Sequence, residues 1–363
     1  LAARDFFYPA RMPALAQTAL ITLTTNETDP RARGLAAGSA LAEPAARSLA
    51  TYLPMFARGG HDRDDVLRFG ARVLERAADW HPPLAVELEA FALGAALEPE
   101  LVGALNGRTE LLALAECTTV GRCDSPDGPW LAQNWDWYAD DSRRCLVWSA
   151  AVEGARFATM TEAGVLAKVG VSTRGIAVAL NILYHAGDGT GELGVPVHLV
   201  LRRLLEEAAS AGDVWELLRE TPYSASSCVT VVDAAGDGAC FELSPAGVAR
   251  IEPRDGFLAH TNHFLDHALA GDEAEQPAAW VSGSRARLAT AQRAAPRAVG
   301  DGLTLLADHT SDPQPICRHD EDPGEPGWPL VDTVVSLAMR PGVPELRVAA
   351  GQPCECAFLS YAV

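Results

Sequence analysis

The stretch ECTTVGRCDSPDGPWLAQNWDWYADD, Glu116 to Asp141, decides how the rest of the chain is read. A cysteine followed by two threonines leads to a Pro/Gly turn and then to a strand-like run ending in Gln133-Asn134-Trp135-Asp136-Trp137. Ser125-Pro126-Asp127-Gly128 has the composition of a tight reversal, because proline presets φ and glycine accepts positive φ. The segment therefore reads as a hairpin, with Cys117 on one strand and a polar platform of Asn134 and Asp136 able to meet it from the other. Thr119, two residues beyond Cys117, shares its strand face.

Ahead of this hairpin, from Leu35 to about Gly107, the chain is rich in Ala, Leu, Glu and Arg. Apolar residues recur at helical spacing (Val66, Phe69, Val73, Leu74), and breaks fall at Gly59-Gly60 and His81-Pro82-Pro83, so about three or four amphipathic helices are expected. Leu111 to Ala115 leads directly into Glu116-Cys117 and is either a buried extended segment or a helix end.

Behind the hairpin, short runs rich in branched residues and separated by Gly-containing turns read as a meander: Cys145 to Glu153, Arg156 to Thr161, Leu166 to Ser172 and Gly175 to Asn181. Val197 to Glu220 returns to helical spacing, broken near Ala211-Gly212-Asp213. A hairpin follows, Ser227 to Val232 and Ala239 to Leu243. Ser284 to Ala295 reads as a helix with Ser284 as its N-cap and Arg285 and Arg287 in solvent. Thr333 to Met339, Leu346 to Ala350 and Ala357 to Tyr361 read as closing strands, and Asp320 to Pro329 as an exposed loop. Helices, strands, central helices and further strands indicate a layered α+β fold.

The formal net charge of −19 gives no electrostatic case for nucleic acid or an anionic membrane. A small molecule is the expected partner. The eight cysteines are scattered without a CxxC pair, which suits free thiols in a reducing compartment. The N-terminal LAARDFFYPARMPA lacks the basic start and apolar centre of a secretory signal, so a cytoplasmic location is expected. Lys168 is the sole lysine, which excludes a GxxxxGK phosphate loop and leaves one candidate for Schiff-base chemistry.

Cys117-Thr118-Thr119 and Gln133-Asn134-Trp135-Asp136 together resemble the isopenicillin N acyltransferase (acyl-coenzyme A:6-aminopenicillanate acyltransferase) family of N-terminal nucleophile hydrolases. The resemblance continues through STRGIAVALNIL (Ser172 to Leu183), CFELSPAGV (Cys240 to Val248), TNHFL (Thr261 to Leu265), LADH and PICRH (Leu306 to His319) and GQPC (Gly351 to Cys354). It implies a four-layer αββα sandwich preceded by an N-terminal helical segment. It also implies self-cleavage between Glu116 and Cys117, giving residues 1–116 as one fragment and 117–363 as the catalytic one, associated as an αβ heterodimer.

In such enzymes the nucleophile's own α-amine, with a pKa of about 7.7 to 8.0, is the base that activates it. The resemblance makes Cys117 the nucleophile, Asp136 the carboxylate that holds the α-ammonium or orients the nucleophile's surroundings, and Asn262 an oxyanion-hole amide, a role worth about 2.7 to 4 kcal/mol. Thr119 would hydrogen-bond the activated group. Arg318 would pair with Asp136 or anchor a substrate carboxylate. Glu116 departs from the glycine that commonly precedes the nucleophile and that eases the acyl shift.

The expected activity is cleavage of a linear C–N amide of a small molecule through a thioester acyl-enzyme, with no cofactor. An acyl-coenzyme A-dependent amine N-acyltransferase and an unprocessed, non-catalytic relative stay open as alternatives, as does self-association. His260, His263 and His267 lack the HExxH pattern of a zinc protease, so no metal is assigned. The thiols of Cys354 and Cys356 are assigned to packing.

Overall fold

The computed structural model describes residues 20–112, 116–138, 144–271, 278–319 and 331–363. The N-terminal part opens with an unforeseen strand, β1 (Ile21–Thr25). Helices α1 (Pro30–Ala40), α2 (Ala42–Arg58), α3 (Arg63–Trp80), α4 (Pro82–Ala95), α5 (Pro99–Asn106) and the single turn α6 (Arg108–Leu111) follow, more than the breaks in the sequence suggested. Asp29 and Asp62 cap α1 and α3, the latter through a reciprocal capping box with Asp65. Of the approach to Cys117, Leu111 ends a helix, and residues 113–115 lie outside the described residues.

The hairpin forms as read. Strand β2 (Glu116–Arg122) pairs antiparallel with β3 (Trp130–Tyr138), with Cys117 opposite Trp135 and Thr118 opposite Asn134. The reversal closes with the Gly128 N–H donating to the Ser125 carbonyl at 3.0 Å, and Gly128 takes a φ of 81° that disfavours any other residue. The meander follows as β4 (Cys145–Val152), β5 (Ala155–Glu162), β6 (Val169–Ser172) and β7 (Ile176–Ile182), then α7 (Val197–Glu207), α8 (Ala211–Glu220) and the hairpin β8 (Ser227–Asp233) with β9 (Gly238–Ser244).

Short elements absent from the sequence reading complete the chain: β10 (Gly247–Ile251), β11 (Phe257–His260) and α10 (Val299–Leu306). Helix α9 spans Ala278–Ala294 and β12, β13 and β14 cover Val331–Arg340, Glu345–Ala349 and Leu359–Ala362. Ser284 therefore lies inside α9 and is not its N-cap, a correction that follows from the helix starting earlier. The expected loop from Asp320 to Pro329 lies outside the described residues.

The strands form two sheets. One has eight strands in the order β1-β4-β5-β6-β7-β8-β9-β10, and the other six, β11-β2-β3-β12-β13-β14. Strands β2 and β3 lie against β7 and β8, so the sheets stack face to face. Helices α7 and α8 cover the outer face of the larger sheet, and α9 and α10 that of the smaller. This is the expected αββα sandwich. Continuous apolar burial along β4 and β7 fits strands covered on both faces, here between helices and a second sheet.

The N-terminal segment is not helical alone. Its β1 pairs parallel with β4 as the edge of the large sheet, with Thr25 accepting a hydrogen bond from the Trp148 indole. Two buried ion networks fasten the helices to the same sheet. In one, Arg33 and Arg202 both hold Glu87. In the other, Glu162 receives Tyr52, Arg108 and Arg144.

Candidate active site

Strand alternation assigns the polar residues of the hairpin to opposite faces. Cys117 and Trp135 face the larger sheet, where they share a pocket wall with Leu180 and Ile182 of β7. Thr118, Asn134 and Asp136 face the helices instead. Thr118 Oγ1 accepts from Arg287 of α9 at 2.8 Å, and the Asn134 amide donates to the Leu306 and Ile316 carbonyls. Across the hairpin Trp135 stands opposite Cys117, with Asp136 one step along, and both the Asp136 backbone and its charge act on the thiol.

The backbone of Cys117 is held on both sides. Its N–H donates to Asn262 Oδ1 at 2.9 Å. Its carbonyl accepts from Arg287 Nη1 at 2.9 Å and from Asn181 Nδ2 at 3.2 Å. These partners come from separate elements. Strand β11 pairs with β2 so that His260 lies opposite Thr119, which brings Asn262 alongside Cys117. Asn181 comes from the end of β7 and accepts Thr119 Oγ1 at 2.7 Å.

Asn262 meets Cys117 by its oxygen, and its amide nitrogen donates to the Ile182 carbonyl at 3.0 Å. The Asn262 side chain therefore acts on the Cys117 nitrogen. The Asn262 backbone N–H donates to Ser284 Oγ at 2.7 Å, which explains a serine buried in mid-helix. Arg287, expected in solvent, is fully buried and reaches Asn262 Oδ1 as well at 3.1 Å. Burial lowers its pKa, against the pull of Asp136 and Cys117.

Asp136 and Arg318 are connected through a residue that pattern reading did not single out, Thr333. Its hydroxyl donates to Asp136 Oδ1 at 2.6 Å, and the Arg318 N–H donates to the same hydroxyl at 2.9 Å. Arg318 is buried, as is Asp136.

The pocket beside Cys117 is narrow, with a cavity volume of ≈20 Å³, and combines an apolar wall of Trp135, Trp137 and Leu112 with a polar end of Arg108, Lys168 and His198. Burial pushes the Cys117 thiol up to about 12, opposed by the charges of Lys168 and Arg287. Lys168 is buried, with its Nζ 2.7 Å from the centroid of the Trp135 ring and 4.0 Å from Glu162. Its burial depresses the amine well below the ordinary lysine range, despite Glu162. His198 is kept neutral by burial and the neighbouring Arg108. Its Nδ1 donates to the Ala167 carbonyl at 3.0 Å.

Burial thus biases both the thiol and the Lys168 amine, which line one pocket, toward their uncharged forms. Asn181, Arg287, Lys168 and Thr333 were not assigned from sequence. A polar amide closing the apolar run of β7 was the one available signal for Asn181. The histidines 260 and 263 are occupied in other ways: His260 Nε2 bonds Glu242 at 2.7 Å, and His263 Nδ1 meets Ser284 Oγ at 2.7 Å. Among the described residues no helix is long and apolar enough to cross a membrane.

The profile of the family described as acyl-coenzyme A:6-aminopenicillanic acid acyl-transferase matches residues 123–353, a span that includes Asp136, Asn262 and Arg318 and starts just past Cys117. The 40 kDa form of acyl-coenzyme A:6-aminopenicillanic-acid-acyltransferase from Emericella nidulans is 32% identical over 195 residues, 52% of this chain and 54% of the relative. The chain thus spans about half the length of the curated relative it matches. Among solved structures, penicillin V acylase from Agrobacterium tumefaciens aligns with a TM-score of 0.48 at 14% identity, covering 64% of this chain and 83% of that one. A Caenorhabditis elegans orthologue of N-acylethanolamine-hydrolyzing acid amidase aligns with a TM-score of 0.45 at 15% identity, covering 63% and 94%.

Proposed function

Because the chain belongs to the acyl-coenzyme A:6-aminopenicillanic acid acyl-transferase family, we propose that it is an N-terminal nucleophile enzyme that cuts its own Glu116–Cys117 bond and then hydrolyses a linear amide of a small molecule. The observation that carries this reading is the position of Cys117. Its thiol lines the pocket, while its backbone nitrogen, the atom that self-cleavage would turn into an α-amine, is held by Asn262 Oδ1 at 2.9 Å.

In self-cleavage the Cys117 sulfur attacks the Glu116 carbonyl carbon. The thiol proton passes to the departing Cys117 nitrogen, with Lys168 as the neighbouring amine able to relay it. The C–N bond breaks as the thioester forms. Water then releases the Glu116 carboxylate, the free thiol and the α-amine. Residues 1–116 and 117–363 remain together as two chains of one body.

In turnover the α-amine takes the thiol proton as sulfur attacks the substrate carbonyl, and returns it to the leaving amine. Asn262 holds that amine, Asn181 and Arg287 fix the Cys117 carbonyl, and Thr119 orients Asn181. Thr333 ties Asp136 to the segment carrying Arg318. Water then hydrolyses the thioester and frees the acid. Transfer of the acyl group from acyl-coenzyme A to an amine is the second reading, favoured by the name of the Emericella nidulans relative.

Acyl-enzyme trapping tests the proposal. Protein quenched in acid during turnover of N-acyl amides gains one acyl group on the fragment beginning at Cys117, and Cys117→Ala gains none. Equal acylation of both would end the assignment. Added amine separates the two readings, since transfer converts it into amide and hydrolysis leaves it unchanged.

A further inference from the structure

Outside the pocket, four side chains from distant parts of the sequence converge. His309 and the Cys317-Arg318-His319 turn lie on the segment after α10, and Cys354 lies on the turn after β13. One ligand-type atom from each of His309, Cys317, His319 and Cys354 falls within 4.8 Å of all the others. His309 Nε2 is 3.1 Å from His319 Nε2, Cys317 Sγ is 3.6 Å from Cys354 Sγ, and His319 Nε2 is 3.4 Å from Cys354 Sγ and 3.8 Å from Cys317 Sγ.

These four distances are close to edges of a metal-centred tetrahedron, and the other two pairs lie within 4.8 Å. With Zn–N near 2.0 to 2.1 Å and Zn–S near 2.3 Å, a regular site requires roughly 3.3 Å between nitrogens, 3.6 Å between nitrogen and sulfur and 3.8 Å between sulfurs. Direct contact gives no comparable reason for the cluster, because two imidazoles and two thiols offer one another only weak hydrogen bonds.

We propose that His309, Cys317, His319 and Cys354 bind one Zn²⁺ as a closed, structural site. Two thiols lose their protons on binding, and the two thiolates neutralise the ion. Four protein ligands leave no open position for a substrate, so the ion serves structure and not catalysis. Its structural consequence is local to Arg318, which sits between two of the ligands. The Arg318 N–H and carbonyl both bond to Thr333, and Thr333 donates to Asp136. The metal joins this segment to the turn after β13 and so fixes the support of Asp136 from outside the pocket. The spacing of one residue between Cys317 and His319, with Cys354 far downstream, matches no zinc-ribbon pattern, and within the Gly351-Gln352-Pro353-Cys354 ending Cys354 reads from sequence as packing.

The test uses the full chain, expressed with added zinc, dialysed against metal-free buffer and analysed by plasma mass spectrometry. His309→Gln and Cys354→Ser replace exposed ligands, and circular dichroism checks that both variants fold. About one zinc per chain is expected in the wild type, as a single closed site requires, and clear loss in each variant. Co²⁺ added to the metal-free protein should give the intense visible bands of a tetrahedral ion and a thiolate charge-transfer band that Cys354→Ser weakens. Wild-type protein without zinc and without cobalt bands would overturn the site. So would undiminished zinc in both folded variants, or a Cys317–Cys354 disulfide found by peptide mapping of metal-free protein.

Discussion

Cys117 is constrained through its backbone before its thiol does anything. Arg287 and Asn181 donate to its carbonyl, and Asn262 accepts from its N–H. Holding the Cys117 carbonyl fixes where the nucleophile sits, and a small misplacement of a reacting group costs on the order of a hundredfold in rate. Arg287→Met is therefore expected to slow self-cleavage by roughly a hundredfold, with partial rescue by Arg287→Lys. Fragment appearance over time measures this, and an unchanged rate would remove Arg287 from the account. At this scale the hairpin residues were legible because Cys-Thr-Thr and Asn-Trp-Asp flank a clear turn. Arg287 was not, since an arginine on an alanine-rich helix carries no local sign of being buried. The place of Asp136, one step along from the residue opposite Cys117, also follows from alternation, but only once the pairing of Cys117 with Trp135 is known.

Strands and helices set these residues through register. Strand β11 has four residues, too few for a period-2 pattern, yet its pairing with β2 delivers Asn262. Longer elements were legible: the meander, α7, α8 and the hairpin β8–β9 all carry enough alternation or helical period to be read. Glu162 at the end of β5 is the clearest energetic element. Burial alone would raise its pKa, but Arg108 and Arg144 outweigh burial and hold the carboxyl below the ordinary range. Its depressed pKa stabilises the fold above the unfolded carboxylate value of about 4.3, and that contribution is lost as pH falls below it. Glu162→Gln leaves buried cations uncompensated and is expected to cost about 3 to 5 kcal/mol at neutral pH. Urea unfolding at several pH values checks both points. The gap between wild type and variant should close in acid, and a constant gap would contradict the assignment.

The whole molecule does not divide at Cys117. Strand β1 is an edge of the large sheet, Tyr52 and Arg108 enter the Glu162 network, and Arg33 and Glu87 join Arg202 of α7. The helical character of the N-terminal part was readable from its periodicity. The return of β1 to a distant sheet was not, because parallel pairing with β4 leaves no local signature. Cleavage at Glu116 is accordingly expected to leave both fragments co-eluting as one particle in size-exclusion chromatography, separating only in denaturant. Separate, later elution of a free N-terminal fragment would contradict this architecture.

The most direct test of the central claim, that Cys117 is a self-activated nucleophile, is denaturing intact mass spectrometry of the purified protein beside Cys117→Ala. The account predicts two masses in the wild type, residues up to Glu116 and residues from Cys117 onward, and one uncut chain in the variant. A wild-type chain that stays whole through prolonged incubation, or a variant that is cut at the same bond, would contradict it.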